Sequence, residues 1–319
     1  MKKSILYQLY FEMLHAFSKF TMVNADTTTR EHAEHSESMQ YFFVKSILLL
    51  ISFCLLFLNG EIAKAQKETH PAVYKINRKV EIPVTLGLFG ASFVGFEYLR
   101  NKPQLSYEEV IQLQPSDIWW FDRPATEQDV SFRHKAHDIS DFFLNSSVAL
   151  PAILTLDKNI RKDWLNLLIL YAESQSVNTD FYLLNASFIL RTRPFNYHPE
   201  VPVEDKLATE TRNSFFSGHV STSATASFFI AKIFSDYYPE LGNKKYWLYT
   251  AAIIPPFLVG YYRFKAMKHF PTDVLTGLFV GATAGILIPE FHRIKRKDTG
   301  LTFVPFSGRY SGLKMSYTF

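Results

Sequence analysis

Cysteine is nearly missing from this 319-residue chain. Cys54 is the only one, so a disulfide framework is excluded. Neither sign of charge dominates: 34 Lys and Arg against 30 Asp and Glu leave a formal net charge of +4, too balanced to argue for nucleic acid as a partner. Internal repeats and low-complexity segments are also missing. Mean hydropathy is −0.03, lower than a fully embedded protein usually shows. Aromatic residues are plentiful. The 30 Phe and 17 Tyr suit a large helical core or a membrane-embedded bundle. The length admits one large domain or two small ones.

Residues 43–58 read FVKSILLLISFCLLFL, with Lys45 ahead of the apolar run and Ala63-Lys64-Ala65, then Gln66, behind it. This is the charged, apolar and A-x-A pattern of a secretory signal peptide, assigned to residues 39–65. Met39 lies six residues before Lys45. Translation is expected to start there, with residues 1–38 a gene-model artefact or a disordered tail. A native N-terminal peptide upstream of Met39 would refute this, and the alternative is a cytoplasmic tail ahead of an uncleaved anchor. His32 and His35 read as tail residues rather than metal ligands.

Residues 66–79 are polar and basic and read as a linker. Apolar stretches of helical length follow at 82–98, 139–156, 163–190 (interrupted by Glu173 and Asp180), 219–235, 246–262 and 272–290. Each holds about 15–18 mostly apolar residues, borderline for spanning a bilayer. The expected fold is therefore all-α, a bundle of about six helices over residues 80–298. Residues 100–138 form a polar connection around Trp119-Trp120 and Asp122-Arg123-Pro124, read as a surface loop with short helices. The tail, 299–319, alternates apolar and polar residues around Ser307-Gly308 and Ser311-Gly312, which suggests a short β-hairpin.

Three short segments carry chemistry. Arg191-Thr192-Arg193-Pro194 ends an apolar stretch and supplies fixed positive charge. Phe216-Ser217-Gly218-His219 precedes a helix; free N–H groups at such a start bind anions, Ser217 adds a hydroxyl donor, and His219 can protonate a leaving group. The third runs YYRFKAMKHFPTD. Here Arg263 can fork onto phosphate oxygens, Pro271 favours a first helical turn, and Asp273 can accept from one ring nitrogen of His269, leaving the other free to attack. Taken singly, each segment has an ordinary explanation: flanking charges, a plain N-cap, an interfacial histidine.

Their order, Arg-Pro, Ser-Gly-His, Arg-x5-His-x3-Asp, resembles the three-part signature of the type 2 phosphatidic acid phosphatase and haloperoxidase superfamily over about residues 140–290. The resemblance implies a helical bundle with the segments meeting at one end, and a phosphatase that needs no metal and no cofactor. It implies His269 as nucleophile forming a phosphohistidine, Asp273 as its orienting group, and His219 as general acid and then base. Arg193, Arg263, Ser217 and the Gly218 amide would hold the phosphoryl oxygens. Three positions depart from the pattern. Ala186 stands where the family usually has lysine, Phe216 where proline precedes Ser-Gly-His, and Tyr262 where serine precedes the arginine. Arg191 is the expected replacement for the lost lysine contact.

Basic residues mark the end opposite these segments: Lys75, Arg78 and Lys79; Lys158, Arg161 and Lys162; Lys244 and Lys245; Arg293, Lys295, Arg296 and Lys297. This is positive-inside sorting for a six-helix membrane protein with its site in the periplasm. A cleaved signal would invert six spans, so a soluble or peripheral exported bundle stays open. The expected substrate is a phosphomonoester or pyrophosphate carried by a lipid, with a soluble phosphoester as the alternative. A vanadate-dependent haloperoxidase and a non-catalytic envelope protein with a degenerate pocket are the competing functions.

Overall fold

The computed structural model describes residues 72–294, 300–306 and 312–318. The expected signal peptide, the Met39 start, the 1–38 tail and residues 66–71 of the linker lie outside the described residues. Within them the protein is an all-α bundle. Its long helices are α1 (Arg78–Arg100), α2 (Arg133–Ala149), α3 (Trp164–Phe188), α4 (Gly218–Tyr237), α5 (Ile254–Lys265) and α6 (Pro271–His292). Shorter helices at Tyr107–Gln112, Val203–Lys206 and Lys245–Ala251 fill the connections.

Local chemistry sets several of these ends. Glu81 in the first turn of α1 and Arg100 in its last complement the helix dipole. Ser106 and Glu109 form a reciprocal capping box on Tyr107–Gln112. Pro271 opens α6, where its missing N–H has no helical partner to lose. Helix α2 begins at Arg133, six residues ahead of the apolar stretch that announced it. Its first turns carry Arg133, His137 and Asp141, polar residues that face the candidate site and so disguise the helix.

Helix α4 is the axis of the bundle, buried along most of its length and packed against α2, α3, α5 and α6. Helix α1 lies on α3, and α5 on α2. Ile160, Leu170, Tyr171, Phe229 and Ile233 close the core at one end, while Leu144, Val220 and Val259 pack near the other. The α4–α6 seam is backbone against backbone. A Cβ on Gly277 would sit 2.5 Å from the Ser217 carbonyl oxygen, and one on Gly285 2.5 Å from that of Thr225. On Gly281 it would run into the Ser221 carbonyl. Gly281→Ala is therefore expected to destabilise the bundle by about 1–3 kcal/mol through overpacking. Gly87→Ala, whose Cβ meets nothing within 4 Å, should be neutral or gain up to about 1 kcal/mol in helix propensity. Thermal unfolding of both variants in detergent checks this; equal melting temperatures would refute a tight seam.

Three helical segments, Arg78–Arg100, Val130–Leu156 and Pro271–His292, are long and apolar enough to cross a membrane. Leu86, Phe93, Val94, Phe142, Phe279 and Phe291 on them are exposed. An apolar surface of this kind is what lipid tails solvate without penalty.

Two further points differ from, or add to, the sequence reading. The end of the linker is docked rather than free: Tyr74 is buried, Lys75 N donates to His292 O at 2.8 Å, and Ile294 N donates to Val73 O at 2.9 Å. At the C-terminus Gly300–Phe306 pairs antiparallel with Gly312–Thr318, Gly300 opposite Thr318 and Phe306 opposite Gly312. The turn residues 307–311 lie outside the described residues.

Candidate active site

The three segments arrive at one end of the bundle because the helices alternate in direction. Arg191 and Arg193 follow the end of α3, Gly218 and His219 open α4, Arg263 lies in the last turn of α5, and His269 and Asp273 flank the start of α6. Arg193, Arg263, His219, His269 and Asp273 are all buried, and His269 lies within electrostatic reach of both arginines and of His219.

His269 is 2 % exposed, and its Nδ1 hydrogen-bonds the Ser214 carbonyl oxygen at 2.7 Å. A carbonyl only accepts, so Nδ1 carries the proton and Nε2 is the basic nitrogen. Burial, then the charges of Arg263, Arg193 and His219, hold the imidazole well below its ordinary pKa, so it stays neutral. The expected direct contact from Asp273 is different: Asp273 Oδ2 lies 3.9 Å from Nδ1. That oxygen instead accepts from Ser214 Oγ at 2.6 Å and from Phe270 N at 2.9 Å. The Asp273 carbonyl also accepts from Ser217 N at 3.0 Å. Asp273 thus fixes the two segments that hold His269 and reaches the imidazole through Ser214.

Arg191 also sits differently from its expected place on phosphate. It pairs with Asp273 and donates to Thr272 Oγ1 at 2.8 Å and to Asp122 Oδ2 at 2.7 Å. Its guanidinium carbon lies 4.3 Å from the centroid of Phe270. Asp122, 1 % exposed, accepts in addition from Thr272 N at 3.0 Å. The fork of Arg191 is therefore turned onto two buried carboxylates, and the connection that read as a plain surface loop reaches into the site.

Helix α2 supplies the other wall. Asp141 Oδ1 lies 3.2 Å from His219 Nε2 and 3.7 Å from Arg263 Nη1. Arg263 Nη1 also lies 2.7 Å from His137 Nδ1. Arginine only donates, so His137 Nδ1 accepts. Donors nevertheless remain without protein partners at this end: Ser217 Oγ and the Nε atoms of Arg193, Arg263 and Arg133 are buried and make no hydrogen bond. Ser217 is the N-cap residue of α4, yet its side chain does not cap the helix. Buried donors left this way favour a bound anion that can accept from them.

Half-buried Lys268, next to His269, adds charge. Burial, then Arg193, Arg263 and Arg133, push its ammonium well below the ordinary lysine range. An anion at this point would restore that charge. Ala186 and Phe216, two separate departures in sequence, belong to one apolar cluster with Phe96, Leu99, Tyr182 and Leu183. Apolar packing occupies the ground where the family pattern has a lysine stem. Asp122, His137, Asp141, Ser214 and Lys268 were not singled out for the site from sequence. Only the Asp122-Arg123-Pro124 turn and the adjacency of Lys268 to His269 offered a signal.

The PAP2 superfamily model matches residues 163–297. Phosphatidylglycerophosphatase B of Bacillus subtilis (strain 168) is 34 % identical over 158 residues, covering 47 % of this chain and 71 % of that protein. Two crystal structures are also similar. The transmembrane PAP2-type phosphatidylglycerolphosphate phosphatase from Bacillus subtilis aligns with a TM-score of 0.39 at 22 % identity, over 66 % of this chain and 94 % of that one. Aquifex aeolicus LpxE aligns with a TM-score of 0.36 at 23 % identity, over 53 % and 92 %. The chain belongs to the PAP2 superfamily. Within it, the protein is a phosphatase of the type 2 phosphatidic acid phosphatase kind.

Proposed function

We propose that this phosphatase removes a terminal phosphate from a membrane lipid, without metal, through a phosphohistidine on His269. The observation that carries the reading is the hydrogen bond from His269 Nδ1 to the Ser214 carbonyl at 2.7 Å, which leaves Nε2 as a neutral nucleophile in a buried, cation-rich setting. Nε2 attacks phosphorus as the bond to the leaving oxygen breaks. Burial and then Arg263 hold the His219 imidazole down to about 4; the bound phosphate dianion, with Asp141 3.2 Å from Nε2, opposes this and favours the protonated form, which gives the leaving oxygen its proton. Water then attacks phosphorus, the P–N bond breaks, and His219 takes the water's proton. Arg193, Arg263, Ser217 Oγ and the Gly218 amide receive the charge that grows on the equatorial oxygens. Lys268 joins them as a further cation, while Arg191 acts through Asp273.

The apolar outer surface supports a substrate held in a bilayer, and the name of the Bacillus relative suggests phosphatidylglycerophosphate as the first to try. Lys75, Arg78, Lys79, Lys158, Arg161, Lys162, Lys244 and Lys245 lie toward the end opposite the site, which supports an envelope membrane location with the site facing outward.

The test is phosphate release by protein in lipid–detergent micelles with EDTA. Phosphatidylglycerophosphate, phosphatidic acid, a polyprenyl pyrophosphate and glycerol phosphate are compared. The expected result is release from lipid substrates in EDTA, with kcat/KM at least about tenfold above glycerol phosphate, the gain of a modest set of tail contacts. Release that needs added metal, or a preference for the soluble ester, would overturn the proposal.

A further inference from the structure

A second cluster lies at the end of the bundle remote from the phosphate pocket. Glu81 in the first turn of α1, Glu173 on α3 and His292, the last residue of α6, each aim one ligand atom at a common point, and all these atoms lie within 4.8 Å of one another. His292 Nε2 is 3.6 Å from Glu81 Oε1 and 3.7 Å from Glu173 Oε2. Ligands at zinc-like bond lengths of about 2.0–2.1 Å in tetrahedral geometry would stand about 3.3 Å apart, so the two distances from His292 need shorten by only a few tenths, while the two carboxylates stand within 4.8 Å of each other.

Two independent observations separate this cluster from an ordinary group of surface acids. Glu173 is 8 % exposed, and its Oε2 is sealed from solvent with no hydrogen-bond donor. A buried carboxylate oxygen left in that state is costly unless a cation meets it. His292 Nδ1 lies 2.9 Å from the Ile288 carbonyl oxygen, so Nδ1 carries a proton and Nε2 is the atom turned toward the carboxylates. A ring nitrogen anchored to a carbonyl, with the other pointing at carboxylates, is the arrangement metal-ligating histidines adopt.

Nearby cations are engaged elsewhere. Arg78, one turn before Glu81, donates twice to Asn166 Oδ1, at 3.1 and 2.9 Å. Lys232 pairs with Asp236 and Glu290, and Arg293 approaches the same two carboxylates. Two carboxylates converging on one imidazole nitrogen offer a donor set that one divalent ion satisfies.

We infer that Glu81, Glu173 and His292 form a binding site for a divalent transition-metal ion of the zinc class. One imidazole with two carboxylates suits such an ion, and water fills the open position. The ion ties α1, α3 and α6 together opposite the reaction centre. It takes no part in phosphoryl transfer and does not rest on the function proposed above.

The test uses the untagged full chain in detergent, stripped with chelator, re-exposed to zinc and desalted. Metal is counted by mass spectrometry, and melting temperature is followed alongside. The expected result is one zinc per chain, a higher melting temperature with zinc, and affinity at least tenfold weaker in Glu173→Gln and in His292→Ala. X-ray absorption at the zinc edge of the wild-type protein guards against variants that fold poorly. It should show one imidazole in a shell of nitrogen and oxygen at about 2.0–2.1 Å. No zinc on folded wild-type protein would overturn the inference and leave a plain contact of His292 with two carboxylates. Retention unchanged in both variants, or a shell with two or more imidazoles, would overturn it equally.

Discussion

Replacing His269 by alanine should lower kcat/KM on the best lipid substrate by a factor on the order of 10⁴ or more, the scale at which losing a covalent nucleophile acts. That corresponds to about 5.5 kcal/mol of transition-state stabilisation. The fold should survive, because the side chain removed makes one hydrogen bond, to the Ser214 carbonyl. His219→Ala should behave differently. A leaving group that departs as a stable anion needs little protonation, so p-nitrophenyl phosphate should recover much of the first-step rate in His219→Ala and none in His269→Ala. Trapping labelled phosphate on protein quenched in alkaline detergent should capture an alkali-stable, acid-labile adduct in His219→Ala, where breakdown is slowed, and none in His269→Ala. Full activity in His269→Ala would end the phosphohistidine reading. A wild-type protein that is folded and silent on every substrate would instead favour a degenerate pocket.

Arg191→Ala should be mainly a stability variant, and Arg193→Ala mainly a binding variant. Removing Arg191 leaves Asp273, which is 0 % exposed, and Asp122, 1 % exposed, without their shared cation. Breaking a buried pair on one side costs about 3–5 kcal/mol, because the remaining charge has no counterion. The melting temperature should fall accordingly. Lysine should not rescue it, since one ammonium cannot serve Asp122, Thr272 and Asp273 as the two-armed guanidinium does. Asp122→Asn should couple with Arg191→Ala in a double-mutant cycle rather than add to it. Arg193 has a buried Nε with no protein partner, so its loss should raise the inhibition constant for inorganic phosphate at least about tenfold, the size of one charged hydrogen bond. Arg191→Ala should leave that constant within about threefold, a change below 1 kcal/mol. A large rise in both variants would return Arg191 to the phosphate itself.

Much of the architecture was legible because helical periods and end signals are local. The apolar stretches at 163–190, 219–235 and 272–290 coincide closely with α3, α4 and α6, and Pro271 marks the start of the last. The histidines and arginines were legible because a short ordered pattern surrounds them. The rest depends on contacts that no local pattern encodes. Asp122 meets Thr272 across 150 positions, and Asp141 meets His219 across a helix-to-helix crossing. The partner of His269 Nδ1 is a main-chain carbonyl, which every residue has and no letter distinguishes. Ala186 and Phe216 read as two independent losses because their shared cluster forms only after α3 and the turn before α4 come together.

The glycine seam between α4 and α6 sets a manufacturing tolerance for the reaction centre. His219 lies in the first turn of one of these helices and His269 two residues before the other. Side chains between helices can change rotamer and let the axes drift; two main chains in contact leave no such slack. The spacing of the two imidazoles is thereby referred to rigid peptide units at Ser217, Ser221 and Thr225, each facing a glycine of α6. Because α6 is itself an outer helix, any tilt imposed on it must carry α4 along, so the two imidazoles move as one body and the gap across which phosphate passes keeps its width.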